Sequence, residues 1–409
     1  MNIVFMFPGV GSHYSGMGKY LYENFPVARE IFEEASDTLK IDMASLCMEK
    51  IYKADLEKLQ NSQTALVTTS MAAFRVFEQE IGNKPEAMIG YSLGEYTALC
   101  ASGAIAFSDT LKLVQERSTI LSSYALTIDG TMAWVNNLAP EIVEGICSEL
   151  LTKGQEVYIS AYDTPNKTSI SGTNSAVQLA CEMVVEHGGI AIPLKLSGPF
   201  HSPMMQPAAE KYKSVLENID MKQPLVPVIA NHDSSMYKGV ENIRENLYLQ
   251  LIKPVKWLDM IHYLMNQGSM KAIEMGPKEV LKYLLQAINP AISTFNYERE
   301  KDILNTKNSF TLQESDYEEV ISGCLTVVVS TKNYNTDLSD YQKKVVLPFQ
   351  KVQSQLEEKI NSGYSVEKSD VEEAIQMMKT ALTEKQIKER DKNVTCKEFF
   401  NVKVFRYKL

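Results

Sequence analysis

Ser92 stands between two glycines in Gly90-Tyr91-Ser92-Leu93-Gly94, where the short apolar run AMIG gives way to a helical pattern. A serine hydroxyl is a weak nucleophile until a sharp turn exposes it and a base takes its proton. The flanking glycines allow such a strand-to-helix turn, and the Leu93 amide at the helix start would then face any oxyanion that forms. Five residues are a weak signal, because a small residue in an ordinary turn gives the same pattern. For a base, the chain offers five histidines. His201 lies in SGPFHSPMM, after the apolar stretch AIPLKL, in a loop that its Gly and Pro can structure so as to present an imidazole to a cleft. A surface-loop histidine is the plainer reading.

These two residues are 109 positions apart, so the elements between them must bring them together. From residue 1 to about 295, apolar runs alternate with amphipathic helical patterns, the layout of an α/β domain with a mainly parallel sheet. NIVFMF reads as a buried strand, PGVGSHYSGMG as a Gly-rich loop, and about 20–35 as a helix. Residues 62–81 carry helical spacing, AMIG is a short strand, and a further helix spans about 108–124 with Leu111, Val114, Ile120 and Leu121 inward. Between about 130 and 195 the texture changes to short strand-like pieces, TMAWV, VYISAY, KTSISG and AIPLKL, separated by helical stretches. This predicts a small α+β subdomain inserted into the larger one, with a ligand cleft between them.

Beyond about residue 300 the chain becomes charged and helical. Ser339–Gln342 and Ser369–Glu372 both fit a capping box, each ahead of an apolar stripe: Val345, Phe349, Val352, Leu356 and Val371, Ile375, Met378, Leu382. Pro348 should bend the first of these helices. The closing EFFNVKVFRYKL alternates apolar and polar residues. The tail is therefore expected to fold and to bury its stripes on the rest of the chain or on a partner.

Composition limits the possible roles. With 409 residues, 44% of them hydrophobic, the chain can bury a large core and a second unit. A net charge of −10 argues against nucleic-acid and anionic-membrane surfaces. Neither a signal peptide nor a run of about 18 apolar residues is evident, so a cytoplasmic protein is expected. Six scattered cysteines without a CxxC pair predict free thiols, with no disulfide framework and no metal site.

Five motifs, FPGVGS, GYSLGEYTAL, LVQERSTIL, SGPFHS and QLIKPVKW, come in the order and approximate spacing of malonyl-CoA:acyl-carrier-protein transacylases. The sequence resembles that family, and the discrete acyltransferases of polyketide synthases, over residues 1 to about 295; the tail lies outside the resemblance. The resemblance implies a larger α/β-hydrolase-like domain with a parallel sheet (1–128 and 196–298). It also implies an inserted ferredoxin-like α+β subdomain (129–195); the C-terminal extension (299–409), outside the resemblance, is expected from its own periodicity to be mostly helical.

It further implies that Ser92 accepts the acyl group and His201 is its base, with the amides of Val10 and Leu93 as the oxyanion hole. Gln250 would orient the His201 imidazole through its main-chain carbonyl. Arg117 would grip the free carboxylate of a malonyl-type group, as a guanidinium can with two parallel hydrogen bonds. Its plainer alternative is a surface arginine paired with Glu116 or Asp109. Gln63 would lie near the nucleophile, and Phe200 would leave little room for an α-methyl group. No bound cofactor is implied; coenzyme A or phosphopantetheine thioesters are substrates, and the partner is an acyl carrier protein in polyketide or fatty-acid biosynthesis. Lys343, Lys344, Lys351 and Lys403 of the tail could offer positive charge to that acidic partner. An acyl hydrolase of the same fold is the alternative, and Arg117 discriminates, because a stalled acyl chain lacks the carboxylate it would hold.

The chain departs from the family pattern at three places. Val10 and His13 replace the glutamines of FPGQGSQ. Tyr91 stands where the family most often has histidine, offering a phenol to exclude bulk or to bond a polar α-substituent. Asp163 stands in place of an asparagine, where a carboxylate must be paired or turned away.

Overall fold

The computed structural model describes residues 2–194, 198–310, 314–335 and 340–387. The chain divides into two compact units, Met1–Leu304 and Asn305–Leu409.

The strands of the first unit are β1 (Asn2–Phe7), β2 (Ala87–Gly90), β3 (Thr131–Asn136), β4 (Val157–Thr164), β5 (Lys167–Gly172), β6 (Ile190–Pro193), β7 (Met270–Glu274) and β8 (Ser293–Asn296). Four of them form a parallel sheet in the order β2-β1-β7-β8. The central strand β1 is covered on both faces, which is why its sequence is an unbroken apolar run. Val4 and Met6 pack with Ile89, Trp257, Ile261 and Leu285 on one face. On the other, Phe5 meets Phe74 and Phe77 edge-on at centroid distances of 6.1 and 4.9 Å.

The remaining four strands form an antiparallel sheet in the order β4-β5-β3-β6. With the helices Pro140–Thr152 and Asn174–Glu186 between them, the chain order is β-α-β-β-α-β, the ferredoxin-like arrangement. One face of this sheet is buried under the two helices through Ala133, Val135, Val157 and Ile170, and the other exposes Trp134. Its strand β4 is stitched to the larger subdomain, since Tyr162 N–H donates to the Val255 carbonyl and Val255 N–H to that of Ser160, both at 2.9 Å.

The helices at 62–81 and 108–124 appear as Leu59–Glu80 and Phe107–Ala125. The single helix expected over about 20–35 is instead two, Lys19–Asn24 and Pro26–Leu39. Pro26 opens the second, and its ring forces Phe25 into an extended conformation, φ −127° and ψ 118°.

In the second unit, the helices Tyr317–Ser330, Leu347–Ser362 and Lys368–Glu384 enclose a core of their own that includes Val320, Cys324, Val327, Val352, Leu356, Val371, Ile375, Met378 and Leu382. The two stripes read from the sequence thus close on each other and on a third helix of the same unit. The expected box at Ser369 sits two residues earlier, with Glu367 as N-cap and Asp370 reaching back to accept from its amide at 2.7 Å. The helix starts at Lys368, which leaves Ser369 inside it. Pro348 lies in the first turn of its helix, after a π-helical turn at Gln342–Val346, so it begins a helix rather than bending one. Lys344 is paired with Asp340 and Glu384 at 3.3 Å, and Lys351 with Glu373 at 2.6 Å. Ser339, Cys396, Lys403 and EFFNVKVFRYKL lie outside the described residues. The other five cysteines are free thiols.

Candidate active site

β2 ends at Gly90, the helix Leu93–Ala101 begins three residues later, and Ser92 between them has φ 50° and ψ −105°. A non-glycine residue reaches this left-handed region only where its surroundings hold it there. The glycines make the turn possible. A Cβ on Gly90 would lie 1.9 Å from the Gly94 backbone, and one on Gly94 would lie 1.9 Å from the Phe7 carbonyl oxygen. Asn231 locks the turn, its Oδ1 accepting from Ser92 N–H and its Nδ2 donating to the Gly90 carbonyl, both at 2.7 Å.

His201 is held in a left-handed conformation, φ 58°. Its Nε2 lies 2.8 Å from Ser92 Oγ and its Nδ1 2.7 Å from the Gln250 carbonyl oxygen. A carbonyl only accepts, so Nδ1 carries the proton and Nε2 turns its lone pair to the serine hydroxyl. Burial, and next the Arg117 charge, push the imidazole down to about 4 against the opposing pull of the Gln250 carbonyl. The ring is therefore neutral at pH 7, the form that can take a proton.

Arg117 is buried, with 3% of its surface exposed. It donates from Nη1 to Gln63 Oε1 at 3.0 Å and from Nη2 to Gln250 Oε1 at 3.2 Å, and its guanidinium lies 5.2 Å from the Tyr96 ring centroid. Its Nε has no hydrogen-bond partner among the described residues. The surface alternative does not hold, because Asp109 pairs with Lys112 and Glu116 is exposed.

Gln250 joins the site together. Besides its carbonyl on His201 and its Oε1 under Arg117, its Nε2 donates to the Ser92 carbonyl at 2.8 Å and to Glu95 Oε2 at 2.5 Å. Glu95 also accepts from Tyr237 Oη at 2.6 Å and from Asn231 N–H at 2.9 Å. Burial raises the Glu95 carboxyl to about 7 against these three donors. Glu95, Asn231 and Tyr237 were not singled out by sequence reasoning. A single charged residue in the mainly apolar helix LGEYTALCA was the available signal for Glu95; Asn231 and Tyr237 carried none.

The loop after β1 rests on the turn. Tyr91 N–H donates to the Phe7 carbonyl at 3.0 Å, and a Cβ on Gly9 would stand 2.6 Å from the Tyr91 carbonyl oxygen. Val10, the next residue, is half exposed, and Leu93 is buried. Lys278 Nζ holds the same loop by donating to the Gly11 carbonyl at 2.7 Å. His13 pairs through Nε2 with Glu57 at 3.2 Å, its side chain largely buried. Phe200 is partly buried, within 3.2 Å of where a Cβ on Gly198 would lie. The phenol of Tyr91, expected to face a substituent on the substrate, is engaged by Asp163 Oδ1 at 2.5 Å. Two departures from the family pattern thus meet each other.

Among the described residues no group of three or more His, Cys, Asp or Glu could hold a metal ion, and no helix is long and apolar enough to cross a membrane.

A sharp strand-to-helix turn on a parallel sheet thus sets Ser92 Oγ against a neutral His201, and comparison with known proteins gives the class. The chain belongs to the acyl transferase family, whose domain model matches residues 4–294. It is 39% identical over 296 residues to a malonyl CoA-acyl carrier protein transacylase of Bacillus subtilis strain 168, covering 71% of this chain and 92% of the relative. A second Bacillus subtilis protein of that description is 30% identical over 389 residues, covering 94% of this chain and 97% of its own length. That match runs into the C-terminal unit, so the extension, outside the five motifs, is shared with a relative. Among solved structures, a malonyl-transacylase in complex with a type II polyketide synthase acyl-carrier protein superposes with a TM-score of 0.72 at 32% identity, covering 76% of this chain and 100% of its own.

Proposed function

We propose that this chain takes a malonyl group from a coenzyme A or carrier-protein thioester onto Ser92 and passes it to the phosphopantetheine thiol of an acyl carrier protein. One observation carries the choice of substrate. A guanidinium, 3% exposed, stands one side chain away from Ser92 with two amide oxygens and a ring for company and a free Nε. A buried cation so placed calls for an anion, and the distal carboxylate of malonate supplies one.

The reaction runs in two halves. Ser92 Oγ attacks the thioester carbon while His201 Nε2 takes its proton, and the oxyanion is met by the amides of Leu93 and Val10, each worth about 3–4 kcal/mol when well placed. Collapse expels the thiol, which receives the proton from His201, and leaves a malonyl ester on Ser92. The carrier thiol then gives its proton to His201, attacks the ester, and the proton returns to Ser92. Gln250 keeps the imidazole in the required tautomer, Gln63 and Gln250 aim Arg117, and Phe200 limits the α-position. The relatives named malonyl CoA-acyl carrier protein transacylases, and the one solved with its carrier protein, support the same acceptor. No bound cofactor is required, and the setting is cytoplasmic. An acyl hydrolase of this fold is disfavoured, since its substrate would leave Arg117 buried without an anion.

Initial rates with both substrates varied test the mechanism. Parallel double-reciprocal lines are expected for the acyl-enzyme, and His201→Ala should slow transfer by about 10²–10⁴. Intersecting lines would contradict an acyl-enzyme route.

A further inference from the structure

Strand β4 is irregular where it passes the nucleophile turn. Against β5, Ile159 faces Ile170 and Ala161 faces Ser169, then Tyr162 faces Thr168 and Thr164 faces Lys167, so Ser160 and Asp163 are the extra residues of two bulges. A bulge breaks the alternation of side chains and re-aims the residue it inserts. At the first bulge the Ser160 carbonyl bonds Val255 of the larger subdomain. At the second, Asp163 reaches Tyr91, the residue before Ser92.

Asp163 is the buried member of the pair, and Tyr91 is partly buried. Asp163 is 2% exposed and accepts hydrogen bonds from two neutral hydroxyls, Tyr91 Oη at 2.5 Å and Ser169 Oγ at 3.2 Å. A carboxylate can stay in such a place only while donors face it. The Tyr91 ring is fixed in turn by Trp257, at 5.8 Å between centroids, and by Gly9, where a Cβ would come within 3.2 Å of Tyr91 Cδ1. Tyr91 therefore touches the nucleophile turn, the loop that carries Val10, the helix at Trp257, and the inserted subdomain.

We propose that Tyr91 and Asp163 are a positioning pair, whose hydrogen bond holds β4 of the inserted subdomain at a fixed distance from the Ser92 turn and so sets the room left for the α-carbon of the acyl group. The proposal rests on the acyl-enzyme reading above. It also assigns the phenol a partner within the protein, so that selectivity comes from the spacing the pair enforces and not from a contact of the hydroxyl with substrate.

The chemistry makes the two single substitutions unequal. Asp163→Asn keeps an oxygen that accepts from Tyr91, whereas Tyr91→Phe leaves the carboxylate with Ser169 as its one hydrogen-bond donor and the Lys167 charge nearby. Loading of Ser92 from malonyl-CoA and methylmalonyl-CoA, read by intact mass, is the test. Tyr91→Phe should slow malonyl loading about 10- to 100-fold, the scale of a lost hydrogen bond to a charged group, and raise the methylmalonyl-to-malonyl ratio. Asp163→Asn should stay within about threefold of wild type, whereas Tyr91→Phe with Asp163→Asn, which strands no charge but still lacks the bond, should regain rate and keep the raised ratio. A merely structural pair would leave the ratio unmoved in the single and the double variant alike. An unchanged ratio in Tyr91→Phe, or a double variant whose ratio returns to that of the wild type, overturns the proposal. If Tyr91→Phe does not fold, Asp163→Ala, which removes the acceptor without stranding a charge, must raise the ratio, and an unchanged ratio overturns the proposal equally. Wild-type protein that fails to load malonyl would refute the acyl-enzyme reading instead. The pair would then be judged by thermal unfolding, where additive losses in the double variant count against it.

Discussion

On the proposed function, Arg117 is the residue on which the choice of substrate turns, and its burial makes the choice measurable. Arg117→Ala leaves a bound malonyl carboxylate without its cation, a loss on the order of 3–5 kcal/mol that an acetyl group never incurs. Acetyl loading should fall far less than malonyl loading; equal losses would make Arg117 structural. Glu95, behind Gln250, gives a pH signature. Its carboxyl is raised from 4.5 to about 7 in the folded chain, so the stability it contributes is full below pH 4.5 and is lost as pH rises through about 7. His201 works in the opposite sense: its pKa falls from 6.5 to about 4 on folding, so its contribution is full above pH 6.5 and lost as pH falls through about 4. Comparing Glu95→Gln with wild type isolates the first contribution, and the fall in Tm attributable to Glu95 between pH 5 and pH 8 should vanish in the variant. An identical Tm–pH profile in the two proteins would contradict it. Ser92 was legible in the sequence because two glycines punctuate its motif, His201 because the chain has only five histidines, and Arg117 through the family resemblance. Asn231 and Tyr237 were not, because what they do depends only on where the fold carries them.

At the scale of elements, the nucleophile turn depends on two glycines that admit no side chain. Gly94→Ala would drive a Cβ to within 1.9 Å of the Phe7 carbonyl oxygen, a backbone clash that no rotamer relieves. A loss of more than about 3 kcal/mol, or failure to fold, is expected. Gly145 is the control: it lies inside the helix Pro140–Thr152, where a Cβ would meet nothing within 4 Å. Gly145→Ala should stabilise by about 0.4–1 kcal/mol in the same thermal-unfolding assay. Helices with a clear apolar period, such as Leu59–Glu80 and Phe107–Ala125, could be read to within a few residues. The bulges of β4 could not, since an inserted residue leaves no mark on a strand buried on both faces.

For the whole molecule, the lesson concerns the C-terminal unit. Periodicity showed which faces of its helices are apolar, but it cannot say what covers them, and the cover proved to be the unit's own helices. The basic face expected to meet an acidic carrier is weakened by the same packing, with Lys344 and Lys351 engaged in ion pairs within the unit. Since the core of each unit is its own, Met1–Leu304 expressed alone should fold and still load Ser92. An insoluble or inactive fragment would contradict this.

The central claim is that a malonyl group rests on Ser92 between donor and carrier. Intact mass spectrometry of the full chain, first with malonyl-CoA and then after addition of phosphopantetheinylated acyl carrier protein, follows that group directly. One malonyl mass on the wild type, none on Ser92→Ala, and movement of that mass to the carrier are expected. A malonylated Ser92→Ala protein, or a wild-type adduct that leaves as free malonate with the carrier untouched, would contradict the account.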